Sequence, residues 1–376
     1  MQEAVRTFLC VALAITATGI RGNAQTPSST TGAVFVMTNA VLGNEVISFR
    51  RSADGSLRED HRFATGGRGT GGVTDPLESQ GSLRLSQDHS LLFAVNGGSG
   101  EVSVFHVRGS NLRLVDKVVS GGAEPNAVAQ LGSLVYVLNV GGSSNVVGFR
   151  LDRAEHLTQI PNSTRFLTTN NSEAASLAFS PDGQFLLVTE RATNNIDVFH
   201  VQADGTLGAI VVNPSLDPGA FSVTFSPNGA VLVAETGPAG EVNASTIASY
   251  AVNLNGTVSP ITVNVPTLAS ATCWIAATPD GRLVYTSNAG TGTISGFAVG
   301  VTGALTPVPG TVAGTNPAGS TNIDVAVSAD SKFLYTLDSG SGMISIFGIN
   351  QDGSLSNLGE AGGLSANAGM NGIAVF

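Results

Sequence analysis

An apolar run closed by a polar residue recurs seven times along this chain: VFVMTN to Asn39, LLFAVN to Asn96, LVYVLN to Asn139, FLLVTE to Glu190, VLVAE to Glu235, LVYTSN to Asn288 and FLYTLD to Asp338. The ends stand 43 to 57 residues apart. An aromatic follows each run, at Phe49, Phe105, Phe149, Phe199, Tyr250, Phe297 and Phe347. A period of this length means one supersecondary unit stacked on its own copies, because a single copy cannot bury its apolar surface alone.

The unit reads as four short strands. In Val102–Val107, period two puts Val102, Val104 and His106 on one face and Ser103, Phe105 and Val107 on the other, so both faces are mostly apolar and both must be covered. After the aromatic strand come turns such as Ala53-Asp54-Gly55, Ala203-Asp204-Gly205 and Gln351-Asp352-Gly353, where Asp-Gly supplies the positive φ of a tight hairpin. Leu57, Leu207 or Leu355 then opens the next strand. A last strand leads to Ser180-Pro181-Asp182-Gly183, Ser226-Pro227-Asn228-Gly229 or Thr278-Pro279-Asp280-Gly281, in which Pro presets the turn. Four-stranded antiparallel blades repeated seven times predict an all-β fold, a seven-bladed β-propeller over residues 33–376. The first copy lacks its first strand, and the last carries a surplus strand, Gly372–Phe376. Pairing that C-terminal strand with Ala33–Asn39 closes the ring and hides two sheet edges.

The N-terminus has Arg6, the apolar stretch Thr7–Ile20 and the small-residue end Gly22-Asn23-Ala24, which predicts a signal peptide over 1–24 and a secreted or periplasmic protein. Ser/Thr-rich residues 25–32 read as a disordered leader. No later run approaches the ~18 apolar residues of a membrane span. Cys10 leaves with the signal, and Cys273 remains as a lone, small buried hydrophobe, so neither a disulfide nor a cysteine metal site is expected. The formal charge of −10 becomes −11 once Glu3, Arg6 and Arg21 are removed, which argues against nucleic acid or an anionic membrane as partner. No cofactor motif is present, and a monomer without metal or cofactor is expected.

If the strands run a to d from the channel outward, the starts of strands a and the ends of strands b share one rim, together with the d–a and b–c loops. Two insertions fall there. Glu235 to Tyr250 spans fifteen residues where the other copies take nine or ten, and Leu57 to Leu85 spans 28 against 18 from Leu207 to Phe225. The second includes Gly66–Gly72, with Arg68 in its middle. Insertions on one face of a rigid scaffold mark it as the site face. Glu190 and Glu235 hold equivalent positions in adjacent blades, close enough in this reading to raise one pKa and make a general base, with Arg191 as oxyanion partner. Trp274 offers a flat apolar wall, Asn139 and Asn288 offer amides, and Ser176, Ser222, Asp324 and Asp338 complete the rim. Two other readings stay open: these polar ends hydrogen-bond their own turns, or Glu190, Glu235, Asp324 and Asp338 supply oxygen ligands of the kind calcium takes.

Segments 180–207 (SPDGQFLLVTERATNNIDVFHVQADGTL) and 333–355 (FLYTLDSGSGMISIFGINQDGSL) resemble the lactonase, or 6-phosphogluconolactonase-like, propeller family, and the related YVTN repeats look similar. The resemblance spans residues 33–376 and implies lactone chemistry. In the family's catalytic members an Arg-His pair opens a strand a and a glutamate ends the next strand. Glu190 and Glu235 match the glutamate, but Ala175-Ser176 and Phe221-Ser222 stand where the Arg-His pair would be. Without those cations the resemblance implies a neutral or weakly charged lactone rather than a phosphosugar lactone. Two expectations follow: hydrolysis of such a lactone through a rim glutamate, or non-catalytic binding of a glycan, peptide or cell-envelope partner at the channel rim.

Overall fold

The computed structural model describes residues 30–376. The expected signal peptide and residues 25–29 of the leader lie outside them. Thr30–Gly32, assigned to the leader from sequence, instead open the first strand: Thr30 pairs with Ser52 and Gly32 with Arg51. The unbroken, buried apolar run Ala33–Met37 next to them favours extending the ladder over leaving those amides unpaired.

All the regular elements among the described residues are strands, arranged as seven antiparallel sheets. Six sheets have four strands, each in chain order from the channel outward except the first, whose innermost strand is Asn371–Val375. That strand pairs with Thr30–Met37, with Val375 opposite Val34 and Ile373 opposite Val36, so the ring closes as its sequence predicts. In the third blade the outer strand is split, Leu157–Gln159 and Arg165–Phe166 both pairing with Asn145–Leu151.

Why both faces of the strands are apolar is now plain. All seven landmark aromatics are buried, and strands a to c of each blade pack face to face with the neighbouring blades. A recurring hydrogen bond ties successive blades together. The hydroxyl of Tyr136 donates to the Gly205 carbonyl at 2.8 Å, that of Tyr285 to Gly353 at 2.9 Å, and that of Tyr335 to Gly55 at 2.9 Å, each reaching the c–d turn of the next blade. Gly55 has φ +86° and lies against the Phe333 ring, which a Cβ would overlap. The Asp-Gly signal in the sequence therefore serves the turn and the blade interface at once.

Candidate functional site

All seven strand-b ends, Asn39, Asn96, Asn139, Glu190, Glu235, Asn288 and Asp338, are 0% exposed. Their side chains are held by their own strands b and c and by the d–a and b–c segments next to them. Asn96 donates to Ser103 Oγ at 2.8 Å, Asn288 to Ser295 Oγ at 2.9 Å and Asn139 to Asn145 Oδ1 at 3.2 Å. Asp338 accepts from Asn316 at 2.8 Å and Thr336 at 3.0 Å, and burial pushes its carboxyl up to about 7.

The two glutamates follow the same rule. Glu190 accepts from the Thr168 amide at 2.9 Å, from Asn195 at 3.4 Å, and from the hydroxyls of Thr168 and Thr193. Glu235 accepts from Thr246 at 2.9 Å, Tyr250 at 3.3 Å and the Ser215 hydroxyl. Burial raises Glu235 to about 7 against the pull of Ser215 and Thr246, with Asp217 adding to the rise. Beside Glu190 stands Asp197, a fully buried carboxyl on strand c with no hydroxyl or amide donor among the described residues. Burial, then the charge of Glu190 and a hydrogen bond to it, lift Asp197 to about 9. The neutral form of Asp197 is therefore favoured at neutral pH. In place of the coupling expected between the two glutamates, each is paired with a different carboxyl: Asp197 for Glu190, Asp217 for Glu235. Sequence reasoning missed Asp197, although a lone acid inside the apolar strand Asn195–Val201 was a visible signal.

The second structural fact concerns the long first d–a connection. Its glycine run packs on the end of the first strand b, where the Thr70 amide donates to Asn39 Oδ1 at 2.9 Å and a Cβ at Gly69 would overlap the Asn39 carbonyl. Arg68 projects outward, exposed, with its amide on Ser99 Oγ at 2.9 Å. Residues 75–81 then cross the mouth of the channel. Asn371 donates to Asp75 at 2.7 Å, and Ser79 Oγ donates to the Asn126 carbonyl at 2.8 Å. The Gln80 amide donates to Ala175 O at 2.9 Å. The Gln80 side chain clips onto Ile275 in both directions, at 2.8 and 3.2 Å, and reaches Asp324 at 3.3 Å. Trp274 Nε1 donates to Ser79 O at 3.0 Å. The segment thus bonds to inner strands of five blades, and in three of them, the third, fourth and sixth, it supplies partners to free backbone groups.

This plug decides the fate of several predicted site residues. Trp274 is 2% exposed, covered by the plug and edge-on to Phe221, rather than an open wall. Ser176 and Ser222 are buried beneath the same mouth. Asp324, with φ +52°, accepts from the Val325 amide at 2.8 Å and the Ile373 amide at 3.0 Å; burial carries its carboxyl up to about 6 against those bonds.

A cleft of about 450 Å³ opens on the site face between the plug and the third and fourth blades, lined by Leu77, Glu78, Asn126, Ser144, Asn170, Asn171 and Glu173 among others. At its edge Arg191 pairs with Glu173 at 2.7 and 2.9 Å and with Glu78 at 2.5 Å, its guanidinium 5.9 Å from the Phe221 ring centre. Glu78 and Glu173 are both exposed. Among the described residues, no group of three or more His, Cys, Asp or Glu is placed to hold a metal ion, and no helix is long and apolar enough to cross a membrane.

Seven antiparallel sheets closed into a ring define a class, the seven-bladed β-propellers. The family described as lactonase, 7-bladed beta-propeller, matches residues 33–166, 143–271 and 244–365, and the chain belongs to that family. Solved structures with the same fold include a candidate 6-phosphogluconolactonase from Bacteroides uniformis, 21% identical with a TM-score of 0.69 over 92% of this chain and 99% of that one. A Lactobacillus plantarum protein is 19% identical with a TM-score of 0.70 over the same shares. The periplasmic gluconolactonase PpgL of Pseudomonas aeruginosa is 18% identical, TM-score 0.66, over 91% and 99%. At these identities the likeness is one of fold. Among curated proteins, no sequence matches.

Proposed function

We propose that this chain is a secreted or periplasmic, monomeric propeller that recognises a neutral sugar or sugar lactone in the site-face cleft. The lining of that cleft carries the reading. Asn170 and Asn171 offer amides and Ser144 a hydroxyl suited to a polyol, while Arg191 offsets the charges of Glu78 and Glu173. A phosphorylated ligand would meet two carboxylates and a guanidinium already engaged by both.

Hydrolysis of the same lactone is the second reading, and one observation favours it. Glu78 and Glu173 stand exposed on either side of Arg191, so a carboxylate able to activate water lies beside a cation able to take an oxyanion. Glu190 and Glu235, the glutamates that match the family pattern, are enclosed by donors of their own blades and of the preceding d–a connections, and serve the fold in this reading.

The test combines calorimetric titration of neutral sugars with pH-stat hydrolysis of a lactone panel. Binding should fall at least ~10-fold in the double variant Asn170→Ala/Asn171→Ala. If wild type turns over a lactone, Glu173→Gln or Glu78→Gln should lower the rate by ~10²-fold while Glu190→Gln and Glu235→Gln leave it within a few-fold. Loss of turnover in folded Glu190→Gln or Glu235→Gln would return catalysis to those residues. Undiminished sugar binding in the double variant would remove the cleft as the binding site.

A further inference from the structure

One of the two insertions on the site face lies away from the cleft. It lengthens the b–c loop of the fifth blade, residues 236–245, and the neighbouring connections brace it from both sides. Toward the fourth blade, the amides of Thr236 and Gly237 donate to the carbonyls of Gly219 and Pro218 at 2.9 and 3.0 Å. Toward the sixth, the Asn243 amide donates to Ser270 Oγ at 2.7 Å and the Ser245 amide to Ala269 O at 3.2 Å. A loop held on two sides presents its side chains without first having to be ordered. Three consecutive connections put an apolar side chain into solvent at the top of this blade: Leu216 is 49% exposed, Val242 81% and Leu268 54%. Exposed apolar side chains brought together on a braced loop cluster add nothing to the core and mark a contact surface. The charges there are all of one sign. No lysine or arginine occurs between Arg191 and Arg282, a stretch that holds the whole fifth blade, whereas Asp217 and the exposed Glu241 stand on the same loops as Leu216 and Val242. A second exposed apolar group on this face, Val41, Leu42 and Val73 at the first blade, differs in this respect, since Leu42 shares a hollow with the exposed Arg68.

We propose that the top of the fifth blade docks a peptide or protein segment that carries apolar side chains next to Lys or Arg. Leu216, Val242 and Leu268 supply the apolar contact, which drives association by leaving water. Asp217 and Glu241 choose the charge: a cationic segment gains from both, and an acidic one meets repulsion that no nearby lysine or arginine relieves. The same charge turns away anionic lipid and nucleic acid. The first-blade group, with Arg68 beside Leu42, suits such a segment less well. This surface is separate from the cleft at the third and fourth blades, so it stands whether or not that cleft binds a sugar.

The experiment is fluorescence anisotropy of a rhodamine-labelled octapeptide of alternating Leu and Lys, titrated with the whole protein. Octapeptides of alternating Leu and Glu and of alternating Ser and Lys test the charge and the apolar contact in turn. Wild type should bind the Leu/Lys peptide at least ~10-fold more tightly than either. Val242→Ser/Leu268→Ser should weaken it by at least ~10-fold with the melting temperature preserved, because both side chains are exposed. Glu241→Lys should weaken it by about 3- to 10-fold, and added salt should weaken wild type in the same direction. Leu42→Ser should bind as wild type does. Equal affinity for the Ser/Lys or the Leu/Glu peptide, no binding of the Leu/Lys peptide to wild type, unchanged affinity in Val242→Ser/Leu268→Ser or in Glu241→Lys, or loss in Leu42→Ser would each overturn the proposal. Sedimentation velocity tests the other occupant: a wild-type dimer that Val242→Ser/Leu268→Ser dissociates would assign this surface to a second copy of the chain and overturn the peptide reading.

Discussion

Replacing Asp197 by Asn should make the protein more stable, and increasingly so as the pH rises. Asp197 is buried on strand c, offers both oxygens to a site without hydroxyl or amide donors, and faces the carboxylate of Glu190. Its value is raised from the ordinary 3.8 to about 9, so the folded state holds a proton that the unfolded chain has lost. The contribution is therefore complete below pH 3.8 and is lost as pH climbs towards 9, at about 1.4 kcal/mol per unit. At pH 7 the accumulated loss is about 4 kcal/mol, a large part of the 5–15 kcal/mol that holds a typical domain together. Asn cannot ionise, and its amide can still donate to Glu190. The assay is urea denaturation of wild type and Asp197→Asn from pH 5 to 9. The variant should gain ~2–4 kcal/mol at pH 7 and less than ~2 at pH 5. A variant less stable than wild type at pH 8, or a gap that does not change with pH, would refute the neutral form of Asp197.

Two further outcomes test the ring. Deleting Gly372–Phe376 removes the buried Ile373 and Val375 and uncovers Phe35, worth ~5–8 kcal/mol before ladder bonds are counted, so scanning calorimetry should find no cooperative transition; a midpoint within a few degrees of wild type would sink the closure argument. Gly55→Ala should cost ~2–4 kcal/mol, because a Cβ there meets both a positive φ and the Phe333 ring, and equilibrium unfolding that shows less than ~1 kcal/mol would mean the turn relaxes freely.

The ring was legible in the sequence because its two signals are local. Apolar runs with polar ends and aromatics nine to fifteen residues on follow from strand alternation and turn chemistry, and both survive in all seven copies. The site was less legible for a physical reason. Strand-b ends in adjacent blades are neighbours along the rim, which suggests that Glu190 and Glu235 act together. Yet a polar group at the end of a strand covered on both faces must find its partners close by, as Glu190 does with Thr168 in the preceding d–a connection, Thr193 in its own b–c turn and Asn195 on strand c. The plug was invisible for another reason. Val-Thr-Asp-Pro-Leu-Glu-Ser-Gln (73–80) has no periodicity, and its partners Trp274 and Ile275 lie 195 residues away along the chain.

That plug also gives the molecule two sides that communicate poorly. A solute entering between the a–b turns meets Gln80 and Asp324 across the axis. The Glu78–Arg191–Glu173 cluster and the channel-lining Arg84 therefore face opposite sides of the plug, with Ser79 and Gln80 and the strand ends around them between. Residues lining one compartment can change in the course of evolution without altering what the other admits. A change at Gln80 alone touches both, since its amide is the floor of one and the underside of the other.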